Sequence, residues 1–234
     1  MEYRKDLPPL PTRMQNLPLQ RGYPVPWFVA KVKGEYDFRI VDPLKFGRAI
    51  QNKRCWICGG QLGAYMAFTI GPMCAVNRIN SEPPSHKECA LYAVQACPFL
   101  SMPQMKRNEH KLEKDKILPA AGMHIEHNPG AMAIWITKAY KVMTVENGVL
   151  LSLGSPEEVI WYTKGRLATL NEVLDAIALG LPILEAQADK EKIDHPFARY
   201  EIEDGLTKLQ KWLPKETSKK FLFGSAARRQ SYGK

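Results

Sequence analysis

The sequence contains few cysteines, few histidines and no long hydrophobic run. Five cysteines and five histidines occur in 234 residues, and an odd cysteine count does not suit a secreted disulfide scaffold. No apolar stretch approaches the roughly 18 residues of a membrane-spanning helix, and the first residues lack the apolar segment of a signal peptide. We therefore expect no membrane association and a reducing, cytoplasmic location.

Common catalytic signatures are also missing. The sequence has no G-x-G-x-x-G loop, no glycine-rich loop ending in Lys-Ser or Lys-Thr, and no G-x-S-x-G nucleophile turn. The proportions of hydrophobic residues (45%) and charged residues (24%) are those of an ordinary globular protein. These features favour a folded binding or accessory protein over an enzyme.

Two short motifs supply four candidate metal ligands. Cys55 and Cys58 form a C-x-x-C motif followed by Gly59 and Gly60, and glycine lets the backbone turn back so that both sulfurs face one ion. The second motif is His86-x-x-Cys89. Four nitrogen and sulfur ligands are the number that a closed structural zinc site requires.

The surroundings of the second motif predict a helix start. Residues 83–84 are prolines that end any preceding helix, Ser85 is a suitable N-cap, and Glu88 completes a capping box. His86 and Cys89 would then lie in the first turn of that helix. With a hairpin of residues 64–70 and 73–79 between the motifs, the sequence predicts a treble-clef-like zinc module made of knuckle, hairpin and helix.

Other interpretations of these cysteines remain open. They can be ordinary buried cysteines, or the C-x-x-C can be a redox pair, although that leaves the second motif unexplained. Cys97 lies eight residues beyond Cys89, about 12 Å along an ideal helix, which is too far to share the ion. Cys74 is a possible alternative ligand if the hairpin curls inward.

The chain resembles a group of uncharacterised proteins encoded by bacteriophages and bacterial genomes. The resemblance extends over most of the chain and rests on these segments: Tyr23-Pro24-Val25-Pro26-Trp27-Phe28, Cys55-Trp56-x-Cys58-Gly59, Gly71-Pro72-Met73-Cys74, Glu82-Pro83-Pro84-Ser85-His86-x-x-Cys89, Cys97-Pro98-Phe99-Leu100 and Gly165-Arg166-x-Ala168-Thr169. It implies a shared fold and a phage-type context in a host-cell cytoplasm. It implies no activity.

The positive charge is concentrated at the two ends of the chain. The net charge of +9 includes +6 from residues 1–54 and +5 from residues 214–234, while residues 55–100 are neutral. Lys219, Lys220, Arg228 and Arg229 are therefore the candidate contacts to nucleic-acid phosphates.

The whole chain is predicted to adopt an α+β fold with small antiparallel sheets and a C-terminal helical region. We predict an extended proline-rich arm (1–22), a hairpin with the zinc module (23–128), a three-stranded sheet with helices (129–213) and a disordered basic tail (214–234). The loop containing His124 and His127 is expected to expose both histidines.

Finer elements are also predicted. They are a hairpin of 27–32 and 36–41, a helix at 44–51, strands at 131–137, 140–145 and 149–153, capping boxes at Ser155 and Thr169, helix ends at Gly165 and Gly180, and helices at 182–192 and 196–213.

Three function classes follow. We favour a zinc-stabilised accessory protein that binds a protein or a nucleic acid without catalysis. The alternatives are a treble-clef metal-dependent nuclease of the HNH type and a virion or assembly component. The nuclease needs a histidine on the hairpin to activate water, and residues 64–79 contain none.

Overall fold

The structure is a computed structural model and describes residues 2–106, 108, 110, 121–122, 127–191 and 193–215. Eleven strands and six helices are assigned within these residues. None of the described helices is both long enough and apolar enough to cross a lipid bilayer. The predicted basic tail, with its four candidate phosphate contacts, lies outside the described residues except at its first two positions.

The strands are short and dispersed along the chain. They are β1 (Leu19–Gln20), β2 (Tyr23–Pro24), β3 (Val29–Val32), β4 (Glu35–Val41), β5 (Met66–Ile70), β6 (Ile79–Asn80), β7 (Met132–Thr137), β8 (Tyr140–Val145), β9 (Gly148–Leu153), β10 (Pro156–Thr163) and β11 (Arg166–Leu167). The helices are α1 (Pro43–Gln51), α2 (Pro72–Asn77), α3 (Lys87–Ala96), α4 (Pro98–Ser101), α5 (Leu170–Lys190) and α6 (Ala198–Leu209). The α+β class with small antiparallel sheets is confirmed.

A four-stranded antiparallel sheet forms the centre of the fold. Its strand order is β11-β10-β7-β5, and all six residues of β7 are buried. A strand covered on both faces is expected to be apolar throughout rather than alternating, as the Met-Ala-Ile-Trp-Ile-Thr sequence of β7 is. Strand β5 lies at one end of this order, where it borders the metal motifs.

Helices cover both faces of this sheet. On one face, Trp135 of β7 belongs to a core shared with α2, α5 and α6. On the other face, Ile134 of β7 packs in a separate cluster with Ala90 and Val94 of α3. Neighbouring residues of β7 therefore serve two cores, since successive side chains of a strand point to opposite faces.

The predicted zinc-module hairpin is not formed. Residues 66–70 are a strand, but the segment expected to pair with it is helix α2, and β5 pairs instead with β7. Pro72 at the first helical position suits a helix start, and Arg78 closes the helix in the left-handed conformation with φ of 57°. The buried side chains of Met73 and Val76 contribute to the large core, which explains why this apolar segment is helical.

The sheet expected from residues 131–153 is divided between two sheets. The hairpin of β8 and β9 is confirmed, with Val145 paired to Gly148. The third predicted strand, β7, belongs to the central sheet, and the other partner of β9 is β6. The β8–β9 pair was therefore predicted correctly, while the pairing of β9 with β6, whose residues lie 71 and 73 positions earlier in the chain, was missed.

The capping box predicted at Ser155 is wrong. Residues 156–163 form strand β10, paired with β7 from Tyr162–Met132 to Pro156–Thr137. Its run of Val, Ile, Trp, Tyr and Thr has the β-branched and aromatic character of strands, and pairing with β7 outweighs the local helix-start signal. Gly165 accordingly occupies the turn to β11 with φ of 70°, not a helix end.

Of the two C-terminal helices, α5 is longer than predicted, and α6 is shorter than the predicted helix of 196–213. The capping box of Thr169 and Glu172 is confirmed at the start of α5. That helix then continues for 21 residues through Gly180 and Pro182, so the predicted helix end at Gly180 is wrong. A Cβ on Gly180 would lie 2.8 Å from Met73 Cγ, so glycine at this position permits close packing between α5 and α2.

The N-terminal region is packed, contrary to the prediction of an extended arm. Met14 is 1% exposed and joins a cluster with Cys55, Cys89 and Tyr92. The Tyr3 hydroxyl also lies 2.9 Å from the Tyr92 hydroxyl on α3. The following elements are confirmed: β3 pairs with β4, and Asp42 caps α1 by accepting two backbone N–H groups.

Candidate metal centre

Four side chains converge where the first knuckle meets α3. The ligand atoms of Cys55, Cys58, His86 and Cys89 all lie within 4.8 Å of one another, and only Cys58 is more than slightly exposed. A tetrahedral zinc bonded to sulfur at about 2.3 Å and to nitrogen at about 2.0 Å separates its ligand atoms by roughly 3.5–3.8 Å. The four residues can therefore close on a metal ion with shifts of less than about 1 Å.

The first two ligands lie on a tight backbone knuckle. The Cys55 N–H donates to the Gly60 carbonyl at 2.7 Å, and the Gly59 N–H donates to the Cys55 carbonyl at 2.8 Å. Gly59 has φ of 73°, a left-handed conformation that costs other residues energy. This backbone turn brings the sulfurs of Cys55 and Cys58 to the same side of the knuckle.

The second pair is positioned by the edge of the central sheet. Ser85 exchanges two backbone hydrogen bonds with Ala67 of β5, at 2.8 and 2.9 Å. The Trp56 N–H donates to the Pro84 carbonyl at 3.0 Å, which ties the knuckle to the same segment. These bonds place the His86 backbone N–H 3.4 Å from Cys55 Sγ.

The predicted capping box at Ser85 is wrong. His86, not Ser85, is the N-cap of α3, and no side chain caps that helix start. The backbone of Ser85 is hydrogen-bonded to Ala67 of β5, so Ser85 extends the edge of the central sheet instead of capping α3. Glu88 forms an ion pair with Arg13 at 2.6 Å. Cys89 still lies in the first turn of α3, as the spacing required.

The orientation of the imidazole leaves one nitrogen free for a metal. His86 Nε2 lies 2.9 Å from the Gln61 carbonyl oxygen, and because a carbonyl only accepts, Nε2 carries the proton. The unprotonated Nδ1 then lies 3.3 Å from Cys58 Sγ. A carbonyl that fixes the outer nitrogen is typical of metal-bound histidine. Sequence reasoning missed Gln61, since its backbone provides the contact.

The thiols of this cluster interact strongly. The backbone N–H groups of Cys58 and His86 both lie 3.4 Å from Cys55 Sγ. Hydrogen bonds from the Cys58 and Cys89 side chains, together with these N–H groups, hold the pKa of Cys55 far below its usual range. The pKa values of Cys58 and Cys89 are raised because each faces the Cys55 sulfur. A divalent cation removes this conflict, since it stabilises all three thiolates at once.

Gly60 lies close to two of the candidate ligands. A Cβ on Gly60 would lie 3.4 Å from both Cys58 Sγ and His86 Cε1, so an alanine at this position would touch both ligands at an ordinary contact distance. All five cysteines are free of disulfides. The donor types, the spacing and the fixed imidazole together fit a metal ion.

The two remaining cysteines lie outside this group. Cys97 is the C-cap of α3, just before Pro98, and burial raises its pKa. Cys74 lies on α2 beside the large core, where burial raises its pKa to about 11. Both are partly buried thiols that pack as small apolar side chains, and neither belongs to the group of four converging ligand atoms. Of the two histidines considered in the loop, His127 forms an isolated antiparallel β-bridge with Lys106. His124 lies outside the described residues.

Comparison of the chain with protein-family models, with curated proteins and with solved structures gives no match. The function is therefore inferred from the geometry of the site.

Proposed function

We propose that the protein is a zinc-stabilised binding factor in which the ion bound by Cys55, Cys58, His86 and Cys89 holds the fold together. The convergence of four soft and borderline donor atoms within 4.8 Å carries this proposal. Thiolate and imidazole ligands suit zinc, and four protein ligands leave no open position for substrate or activated water. The proposed role of the ion is structural rather than catalytic.

The location of the site supports a structural role. Three segments meet there: the knuckle, the edge of β5 through Ser85, and the first turn of α3. The N-terminal arm packs on the same cluster through Met14. One ion would therefore join three segments that are distant in the sequence, and its binding free energy would become folding free energy.

The proposed module is a variant of the treble clef. Its knuckle and its ligand-bearing helix correspond to that arrangement, while β5 and α2 occupy the position of the hairpin. A nuclease of that type would place its water-activating histidine on the missing hairpin. We accordingly propose a non-enzymatic accessory role, in the phage-type context implied by the resembled proteins, with a protein or nucleic acid as partner.

Metal analysis of the purified protein tests the proposal. We expect one zinc per chain that resists mild chelation, and loss of near-ultraviolet dichroism when a strong chelator removes it. Adding zinc back should restore the signal, whereas magnesium should not. Protein that is metal-free and fully folded would overturn the proposal.

A further inference from the structure

A concave surface lies beside the knuckle and includes its residue Gly59. It encloses about 390 Å³ and is lined by Trp27, Arg48, Asn52, Arg54 and Gly59. That volume is within the range of small-ligand sites. We call these residues the knuckle cleft. Its lining combines two guanidinium groups, one amide and one indole, and includes no carboxylate.

The cations of the knuckle cleft are not neutralised. Arg48 and Arg54 are exposed, and neither forms an ion pair within the described part of the chain. Between residues 43 and 81 the sequence contains five basic residues and no acidic residue. Arg48 and Arg54 belong to the segment 1–54, which carries a net charge of +6.

The backbone that presents these side chains is ordered. The Arg54 N–H donates to the Ala49 carbonyl at 3.1 Å, and the Leu62 N–H donates to the Lys53 carbonyl at 2.9 Å. The Gln61 side chain donates to the Asn52 carbonyl at 3.1 Å. A site held in place before binding loses less entropy when its ligand arrives.

The indole of the cleft is equally constrained. The Trp27 backbone N–H donates to the Ile57 carbonyl at 2.6 Å, and the indole ring lies against Gly59, where a Cβ would come within 2.6 Å of Trp27 Cγ. The ring therefore forms a wall of the cleft whose position depends on the zinc knuckle. An aromatic ring that lines the same cleft as two arginines suits a ligand that has both a ring and a negative charge.

We propose that the knuckle cleft binds a single-stranded nucleic acid, with Arg48 and Arg54 pairing with phosphates and Trp27 stacking on a base. This inference rests on the proposed function and names its partner class. Unpaired bases offer a face for stacking that a duplex keeps inside its stack. Asn52 can donate to and accept from the edge of the stacked base. The concave shape of the cleft and the aromatic wall both favour one splayed nucleotide over a duplex backbone.

Fluorescence anisotropy with a labelled single-stranded oligonucleotide of about 20 nucleotides tests this inference. The full chain is used with Lys219, Lys220, Arg228 and Arg229 all changed to Gln, so that the tail contributes little. In this background, the pair Arg48→Ala and Arg54→Ala should weaken binding at least tenfold. Because each phosphate contact contributes about 0.7 to the salt slope for single strands, the slope of log K against log salt should fall by about 1.4.

A matched control removes the same charge elsewhere. Lys141 on β8 and Lys190 at the end of α5 are exposed and form no ion pair within the described residues, and changing both to Ala should alter affinity less than about twofold. Trp27→Leu should weaken binding at least about fivefold. Its zinc content and melting temperature are measured in parallel, and Trp27→Phe, which keeps a stacking surface, should retain most of the affinity.

The outcomes separate this inference from the proposed function. If the arginine variant holds one zinc yet binds like the lysine control, the knuckle cleft is not the binding site and the zinc proposal stands. Inorganic polyphosphate is also tested as a competitor of the oligonucleotide. If it displaces the oligonucleotide as well as unlabelled single strand does at the same phosphate concentration, Trp27 does not stack on a base. Equal affinity of the protein for a duplex and for a single strand would overturn the stacking role as well. A protein that is folded without zinc would overturn the proposed function, whatever its affinity for the oligonucleotide.

Discussion

Gly59 and Trp27 are packed so closely that no larger residue fits at position 59. A Cβ on Gly59 would lie 2.6 Å from Trp27 Cγ, and its backbone has φ of 73°. The same glycine therefore lets the knuckle turn back towards Cys55 and lets the indole pack flat against it. The metal site and the knuckle cleft consequently share one structural element.

Substitutions of three nearby glycines should differ sharply. Gly59→Ala combines a steric clash with a strained φ and should destabilise the protein by about 2–4 kcal/mol. Gly60→Ala meets the ligands at ordinary contact distance and should cost about 1 kcal/mol. Gly63, which has nothing within 4 Å of its Cβ position, should tolerate Ala within about 0.5 kcal/mol. Urea denaturation measures the free energy of unfolding of each variant. Equal losses of stability at all three positions would contradict the predicted order.

Two cysteines of one helix should respond differently to substitution. Cys89→Ser should release the metal and unfold the module, since it removes one of the four converging ligand atoms. Cys97→Ala, at the other end of α3, should keep the metal and cost roughly 1 kcal/mol of packing. Cys74→Ala should keep it as well. The zinc content of each purified variant tests these expectations. Loss of zinc from the Cys97→Ala variant would mean that the proposed set of four ligands is wrong.

Glycine in α6 should be required where it meets α2. A Cβ on Gly205 would collide with the Val76 carbonyl oxygen, and backbone cannot rotate away as a side chain can. Gly205→Ala should therefore destabilise the protein by more than about 2 kcal/mol. Gly47 in α1 has nothing within 4 Å of its Cβ position, and Gly47→Ala should stabilise by about 0.5–1 kcal/mol. Thermal or urea unfolding should give changes in the free energy of unfolding of opposite sign for the two variants. A Gly205→Ala variant as stable as the parent protein would refute the close contact.

The carboxylate of Glu172 should stabilise the start of α5 in a pH-dependent manner. The Arg166 guanidinium, 2.7 Å away, and the Thr169 N–H hold the pKa of Glu172 to about 2, below its ordinary value of 4.5. Because the folded-state pKa is depressed, the contribution is complete above pH 4.5 and is lost as the pH falls towards 2.

Comparison with Glu172→Gln measures this contribution. The variant should be less stable than the parent by about 1 kcal/mol at pH 7, and the difference should shrink as the pH falls. Glu146→Gln is the control, since Glu146 is exposed and forms no ion pair among the described residues. A difference that stays constant with pH would show that charge is not the cause.

The basic tail should add a sequence-independent share to nucleic-acid binding. Residues 214–234 carry a net charge of +5, so removing residues 215–234 should lower affinity at low salt and flatten its salt dependence. Zinc content and melting temperature should stay nearly unchanged. Anisotropy at two salt concentrations is the measurement, and an unchanged salt slope would exclude the tail from binding.

The sequence by itself determined the features that depend on neighbouring residues. The candidate metal ligands could be chosen from two short motifs because spacing of three residues places side chains on one side of a knuckle or a helix turn. The caps at Asp42 and Thr169 and the hairpin around Gly148 were predicted for the same reason. In each case the hydrogen bonds that define the element lie within a few residues.

Only the tertiary structure decided the features that depend on distant partners. Residues 73–77 are helical because their apolar side chains complete a core with α5 and α6, and residues 156–163 form a strand because β7 offers them a buried edge. The orientation of His86 depends on the Gln61 carbonyl, which no side-chain pattern reports. Likewise, the charge count places Arg48 and Arg54 in a basic N-terminal segment, and only the tertiary structure brings them together with Trp27 in one cleft beside the knuckle.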